Sequence, residues 1–430
     1  MTLTPLKSKL SIDGPRGKTV PARALLALCA ALALMPAHAE PDEAVLGKNQ
    51  GYPVGTNGGN WYGNPYRVGS WSAMDKVRVL STRKVERAGP VTPLPAMAPA
   101  PAIQYRYRNL NYTLDEYLER QRVTGLLILK DGQIVAERYR YGRSDNARFL
   151  SFSMAKTVTS MLVGIAQDKG LIASLDDRAD QYDKDMAGSA YGATTVRQLL
   201  RMSSGLTFTE RYDGTDDIAR MSRAAVQGGM VDVLRSITDR HDPPGEKFVY
   251  ASAETEVLGR VVAAAARRPL AELTSEWLWQ PLGAEQDAFW VVARDGHERA
   301  SGYFNATLRD WGRLGLMLAR DGRVGDKQIV PLPYLMDATD ATRQPPAFRP
   351  HSATPYMGYG YQTWLFPLRE RTFGLQGVHG QAVFVQPKSG IVMVQTAVYE
   401  AASGQQNPEP FRERNALWLG VLRSLGGSVD

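Results

Sequence analysis

The sequence predicts an α+β fold: an antiparallel sheet flanked by N- and C-terminal helices, with a mostly helical region inserted. Three observations carry this expectation. Strand-like apolar runs fall at two distant places, Gly125 to Glu137 and Tyr359 to Ala397. Between them, from Ser153 to about Arg320, apolar residues recur at three- and four-residue spacing, the mark of amphipathic helices. Pro410 to Leu425 then closes the chain with a further helical pattern. Strands this far apart must join one sheet around the inserted segment, which is segregated α+β logic rather than alternating βα units.

Taken in order, the first element is a leader. Lys7, Lys9, Arg16, Lys18 and Arg23 precede the apolar stretch Ala24 to Met35, and Pro36-Ala-His-Ala39 follows. A basic region, a short apolar core and an Ala-x-Ala site form a signal peptide over 1–39, too short in its core for a spanning helix of about 20 residues. Cleavage after Ala39 and export, to a bacterial periplasm, are therefore expected. Loss of those five cations and of Asp13 takes the net charge from +7 to +3, so the basic balance makes no case for nucleic acid. The single cysteine, Cys29, lies in the leader, and Leu28 before it fits a lipoprotein site poorly. The mature chain is expected to have neither disulfide nor lipid anchor, and hence no stable membrane attachment.

Residues 40–105 read as an arm rich in Gly, Pro and aromatics. Trp61, Tyr62, Tyr66 and Trp71 predict that it packs on the main body, since pure linkers seldom carry so many aromatics. The catalytic region is expected over 106–430. It begins with a short helix, Leu114 to Gln121, and a hairpin in which two β-rich runs flank Asp131-Gly132, a strong short-range turn signal. Helices are expected at Thr195–Met202, Ile218–Gln227, Met230–Ser236, Thr255–Ala265, Pro269–Leu278 and Thr307–Ala319, and strands at Tyr359–Phe366, Ala382–Gln386 and Ile391–Ala397.

The element with most chemistry is Ser151-Phe-Ser153-Met-Ala-Lys156-Thr157. Val158, Met161, Leu162 and Ile165 continue it as a helix of about four turns, with Asp168-Lys169-Gly170 as the stop. Ser153 and Lys156, three apart, share a face with Cβ atoms about 5–6 Å apart. Ser153 also sits at the helix start, where free N–H groups suit a developing oxyanion. A nucleophile with a built-in base fits this spacing; an N-cap serine and a solvent-facing lysine fit it too.

Three further patterns follow in order: Leu199-Leu-Arg-Met-Ser-Ser-Gly205, Pro244-Gly-Glu-Lys-Phe-Val-Tyr250-Ala-Ser252 and Val378-His379-Gly380-Gln381. With Ser-x-x-Lys they resemble the serine beta-lactamase and penicillin-binding-protein superfamily, in its class C and esterase branch, over about Gly125 to Leu425. The resemblance implies the transpeptidase-like fold, Ser153 as nucleophile, Lys156 as its partner and Tyr250 as the tyrosine of the Tyr-x-Asn or Tyr-x-Ser motif. It puts Ser252, His379 and Gly380 against substrate, Tyr212 and Asn305 in the pocket by position, and the oxyanion donors at Ser153 and at Gln381 or Ala382. Lys and Tyr both titrate near 10 when unperturbed, so either requires a shift to act as base, and the sequence leaves both open.

Two departures bear on substrate. Where the family's beta-lactam processors carry a cationic lysine, this chain has His379, mostly neutral at pH 7. Ser252 replaces an asparagine able to hold a side-chain amide. These features are similar to 6-aminohexanoate-dimer hydrolases and carboxylesterases, and imply hydrolysis of a small ester or linear amide. A beta-lactamase or D-alanyl-D-alanine peptidase is the alternative, and a non-catalytic binding protein on the same scaffold a third. His241, His297 and His351 lack ligand spacing, so no metal is expected, nor any cofactor. Asp176, Asp177, Asp180, Asp183 and Asp185 read as solvated loops, and Trp277, Trp279 and Trp290 as core or rim.

Overall fold

Period-two alternation organises the centre of the molecule. In the strand Val123–Lys130, Leu126 and Ile128 point to one face while Leu127 and Leu129 point to the other, and all four are fully buried. A strand with two apolar faces must be covered on both sides. The computed structural model, which describes residues 43–56 and 60–430, shows how this is met. Seven antiparallel strands lie in the order Gly358–Tyr359, Trp364–Leu365, Phe373–Gly377, Gln381–Gln386, Ile391–Ala397, Val123–Lys130 and Gln133–Tyr139. One face packs on Leu114–Arg120 and the closing helix Glu409–Ser424, through Tyr117, Leu417, Trp418 and Val421. The other face meets Leu308–Ala319 and the helix Ala155–Asp168. The fold is thus the α+β, transpeptidase-like arrangement that the sequence predicts. The expected signal peptide lies outside the described residues.

The hairpin turns at Asp131 and Gly132, both at positive φ (53° and 84°), as a two-residue turn between right-twisted strands requires. The expected helices form within a few residues of their predicted bounds. Four stretches depart from the sequence reading. The run expected as one strand, Tyr359–Phe366, folds instead as two, Gly358–Tyr359 and Trp364–Leu365, paired antiparallel with each other. Phe373–Gly377 carries two glycines, which weaken a strand pattern; a Cβ on Gly374 would lie 2.5 Å from the Phe384 ring, so the close approach demands glycine. Ala288–Val292 and Phe304–Ala306 fall inside the expected helical region and join a second, four-stranded sheet with Ser81–Val85 and Phe149–Leu150.

That second sheet draws in the arm. Ser81–Val85 pairs antiparallel with Ala288–Val292, Leu150 N–H donates to the Trp71 carbonyl at 2.7 Å, and Trp71 is buried against Phe152 with ring centroids 4.9 Å apart. Arm and catalytic region fall in one compact unit. One polar expectation is corrected. Asp183 is buried and bonded to Arg260 at 2.7 Å, and Asp180 is buried beside Arg178, so part of the acidic cluster is paired rather than solvated.

Candidate active site

The presentation of Ser153, the candidate nucleophile, begins two residues earlier. Phe152 sits at φ 43°, a left-handed conformation rare for a bulky residue. Ser151 fixes it on both sides: its N–H donates to the Phe304 carbonyl at 2.9 Å, and its hydroxyl accepts from the Phe304 N–H at 3.1 Å. The Phe152 ring is held by Trp71, Tyr62 and His379. This strained corner puts Ser153 in a single 3₁₀ turn, Phe152–Met154, directly before the helix Ala155–Asp168. Ser153 is left partly exposed while its neighbours are buried.

Lys156, 1% exposed, turns back toward it. Its ammonium nitrogen lies 3.0 Å from Ser153 Oγ, 2.8 Å from Ser252 Oγ and 2.7 Å from the Ser301 carbonyl. Glu256, one turn along the helix Ser252–Ala266, sets the Ser301 position: it accepts from the Ser301 hydroxyl at 2.6 Å and pairs with Arg299. Tyr250 packs against Trp364 with rings nearly parallel, lies 5.1 Å from Lys156 Nζ at its ring centroid, and hydrogen-bonds Ser153. Ser153, Lys156 and Tyr250, far apart in sequence, are thus brought together.

Electrostatics separates the two candidate bases. Burial pushes the Lys156 ammonium below its ordinary range, with Glu210 and Glu256 pulling it partly back. Burial pushes the Tyr250 phenol well above its range, Glu210 pushes it further, and the Ser153 hydrogen bond offsets little. Loss of a positive charge on Lys156 is favoured here; gain of a negative one on Tyr250 is not.

The remaining predicted residues divide. Tyr212, at φ 59° and tied by its N–H to Asp216 at 2.7 Å, lines the cleft on both sides of Ser153. Ser252 also reaches the cleft, but its hydroxyl is committed to Lys156. His379 does not face substrate. It is 2% exposed, with Nδ1 on the Tyr399 carbonyl at 2.8 Å and Nε2 on the Tyr62 hydroxyl at 2.6 Å. Burial lowers its pKa to about 4, so the ring is neutral. Gly380, Gln381 and Ala382 do not line the cleft either. The reason is one of register. Gly377 pairs with Gln381, so Val378–Gly380 is the turn between two strands, and Gln376, Gly377 and Val378 front the nucleophile instead. Gly380 at φ 95° serves that turn, and the Gln381 side chain bonds Ala397 N–H and carbonyl. Asn305, in the middle of the second sheet, is fully buried and donates to the Tyr303 carbonyl; Ser301, Gly302 and Tyr303 before it reach the cleft.

The cleft has two lobes that meet at Ser153. One, of about 330 Å³, is walled mainly by apolar and aromatic groups, among them Trp61 and Tyr62 of the arm, Phe152, Ile218 and Tyr303. The other, of about 790 Å³, is bounded by Tyr250, Tyr356, Trp364, Val378 and Arg414. Sequence reasoning missed Glu210, which lines both lobes. Its place two residues before Tyr212 in Thr207-Phe-Thr-Glu210-Arg-Tyr212 was the available signal, since alternate residues of an extended segment share a face.

The Beta-lactamase family model matches residues 110–397. The chain belongs to the Beta-lactamase family. It is 26% identical over 383 residues to a 6-aminohexanoate-dimer hydrolase of Paenarthrobacter ureafaciens, covering 86% of this chain and 93% of that one. A solved structure of a putative 6-aminohexanoate-dimer hydrolase from Bacillus anthracis superposes with a TM-score of 0.74 at 22% identity, over 86% and 98% of the two chains. A putative beta-lactamase from Bacteroides dorei gives 0.57 at 19% identity, over 73% and 97%. This Beta-lactamase family member is accordingly a serine hydrolase of the beta-lactamase-related type, with esterase and amidase relatives.

Proposed function

We propose that this protein is an exported hydrolase that cleaves a small ester or linear amide through an acyl-enzyme on Ser153. The observation that carries the reading is the buried Lys156 nitrogen 3.0 Å from Ser153 Oγ, held there by Ser252 and the Ser301 carbonyl. A lysine whose charge is disfavoured by burial is a base at neutral pH. Ser153 Oγ attacks the carbonyl carbon as its proton passes to Lys156 Nζ. The developing oxyanion lies between the N–H of Ser153 and the N–H of Val378, the strand-end residue in both lobes. Lys156, with Tyr250 beside it, returns the proton to the leaving oxygen or nitrogen, and water then releases the acyl group.

Substrate class follows from the walls. The aromatic lobe suits a short apolar acyl or alcohol group. The strand motif offers no cation to a carboxylate, because His379 is neutral and turned into the protein. Both features support a small ester or linear amide over a beta-lactam or peptidoglycan stem. The name of the Paenarthrobacter relative points the same way, toward a linear amide. Export rests on residues 1–39.

The test is a fluorophosphonate probe followed by a panel of p-nitrophenyl esters, linear amides and a chromogenic cephalosporin. Labelling of the wild type and none of Ser153→Ala is expected, with turnover of esters or amides and not of the cephalosporin. Labelling that survives the substitution overturns the nucleophile, and cephalosporin turnover above that of every ester and amide overturns the substrate class.

A further inference from the structure

Glu210 stands apart from the other acids near the centre. Glu256 is met by the Ser301 hydroxyl and backbone N–H groups, and Asp310 by Arg313 and two backbone N–H groups. Both Glu210 oxygens, by contrast, are shut off from solvent and complete no hydrogen bond of good geometry among the described residues, although the N–H and hydroxyl of Ser252 turn toward them. The residue lines both lobes beside Ser153. A buried carboxyl group whose hydrogen bonds are incomplete calls for a functional account.

Its surroundings supply one. Lys156 faces it from the nucleophile's helix, and the N–H and hydroxyl of Ser252 turn toward it from the start of the helix Ser252–Ala266. Asp216 and Tyr212 come from its own loop, and Tyr250, Tyr191 and Tyr359 from neighbouring segments. Lys156 is the cation that acts on it most. Arg299 acts on Lys156 from the other side, paired with Glu256. The three Lys156 contacts sharpen the geometry. The Ser301 carbonyl can only accept, so one Nζ hydrogen stays there. Ser252 can accept a second and turn its own hydrogen toward Glu210. The third direction, toward Ser153, must be a lone pair if Lys156 is to act as base.

We propose that Glu210 is the positioning charge of this centre: its buried carboxylate faces Lys156 across Ser252 and steadies the positive charge that Lys156 takes on when it accepts the Ser153 proton. The proposal rests on the Ser153–Lys156 reading above. In acylation the Ser153 O–H bond breaks, an Nζ–H bond forms, and Oγ bonds to the carbonyl carbon while the carbonyl π pair becomes the oxyanion. As the tetrahedral species collapses, the Nζ proton leaves with the departing group, and the amine is restored.

The test is the pH dependence of kcat/KM on one p-nitrophenyl ester for wild type, Glu210→Gln and Glu210→Asp. Gln keeps the size of the side chain and removes the anion that raises Lys156. The acid limb should therefore move to lower pH by about one unit, the lower end of the effect of one nearby opposite charge. Asp, retracted by one methylene, should move it less in the same direction. A Gln variant with reduced kcat but an unmoved limb assigns Glu210 a structural role and overturns the proposal. If the Gln variant does not fold, an Asp limb that coincides with wild type overturns it equally. Failure of the underlying reading is seen separately, as turnover that survives Ser153→Ala.

Discussion

At the scale of single residues, the site depends on which group loses its charge most easily. Lys156 has burial working toward the neutral amine, whereas Tyr250 has burial and Glu210 both working against the phenolate. Replacing Lys156 with Met, which keeps the stem and removes the amine, should lower kcat/KM for a p-nitrophenyl ester by about 10²–10⁴, the usual contribution of a positioned base. Tyr250→Phe should cost less, since the ring keeps its packing on Trp364. Activity should fall as pH is lowered, because protonation of Lys156 removes the lone pair that Ser153 needs. A stopped-flow pH series checks the sign: a rate that rises toward acid would exclude Lys156 as base. The sequence showed Ser153, Lys156 and Tyr250 because their motifs are local. It did not show that His379 turns inward, since the Tyr62 hydroxyl and Tyr399 carbonyl that capture it come from distant segments.

At the scale of elements, the helices were legible and one decisive strand was not. Thr113 and Thr195 cap their helices through capping boxes readable in sequence. Phe373–Gly377 was hidden by its glycines, and with it the register that brings Gln376–Val378, rather than Gln381 and Ala382, to the nucleophile. The same close packing governs the helix Leu308–Ala319, where a Cβ on Gly315 would lie 2.5 Å from Val392 Cγ1 and 3.1 Å from Val383 Cγ1. Gly315→Ala should therefore destabilise by ~1–3 kcal/mol through overpacking, read as a lower midpoint in urea with an unchanged slope. An unchanged or raised midpoint would show that the sheet and helix separate more readily than their packing implies.

At the scale of the whole molecule, the segment expected as an arm is a wall of the cleft at Ser153. It supplies a strand to the second sheet, Trp71 behind the Phe152 corner, and Trp61 and Tyr62 to the aromatic lobe. The density of aromatics predicted that it packs; what it packs against depended on pairings some 200 residues away, such as Ser81 with Val292. Tyr62→Phe leaves His379 Nε2 without its donor, and should cost ~1–3 kcal/mol as an unsatisfied buried group, read by thermal unfolding, with little change in acylation. A large loss of kcat at unchanged stability would instead give Tyr62 a direct part in the chemistry. In the proposed mechanism one serine carries the acyl group. Intact-mass analysis of the protein quenched during turnover of a p-nitrophenyl ester tests it most directly. A single added acyl mass, mapped by peptide sequencing to Ser153 and absent from Ser153→Ala, is the predicted result; an adduct on another residue, or undiminished turnover by Ser153→Ala, would contradict it.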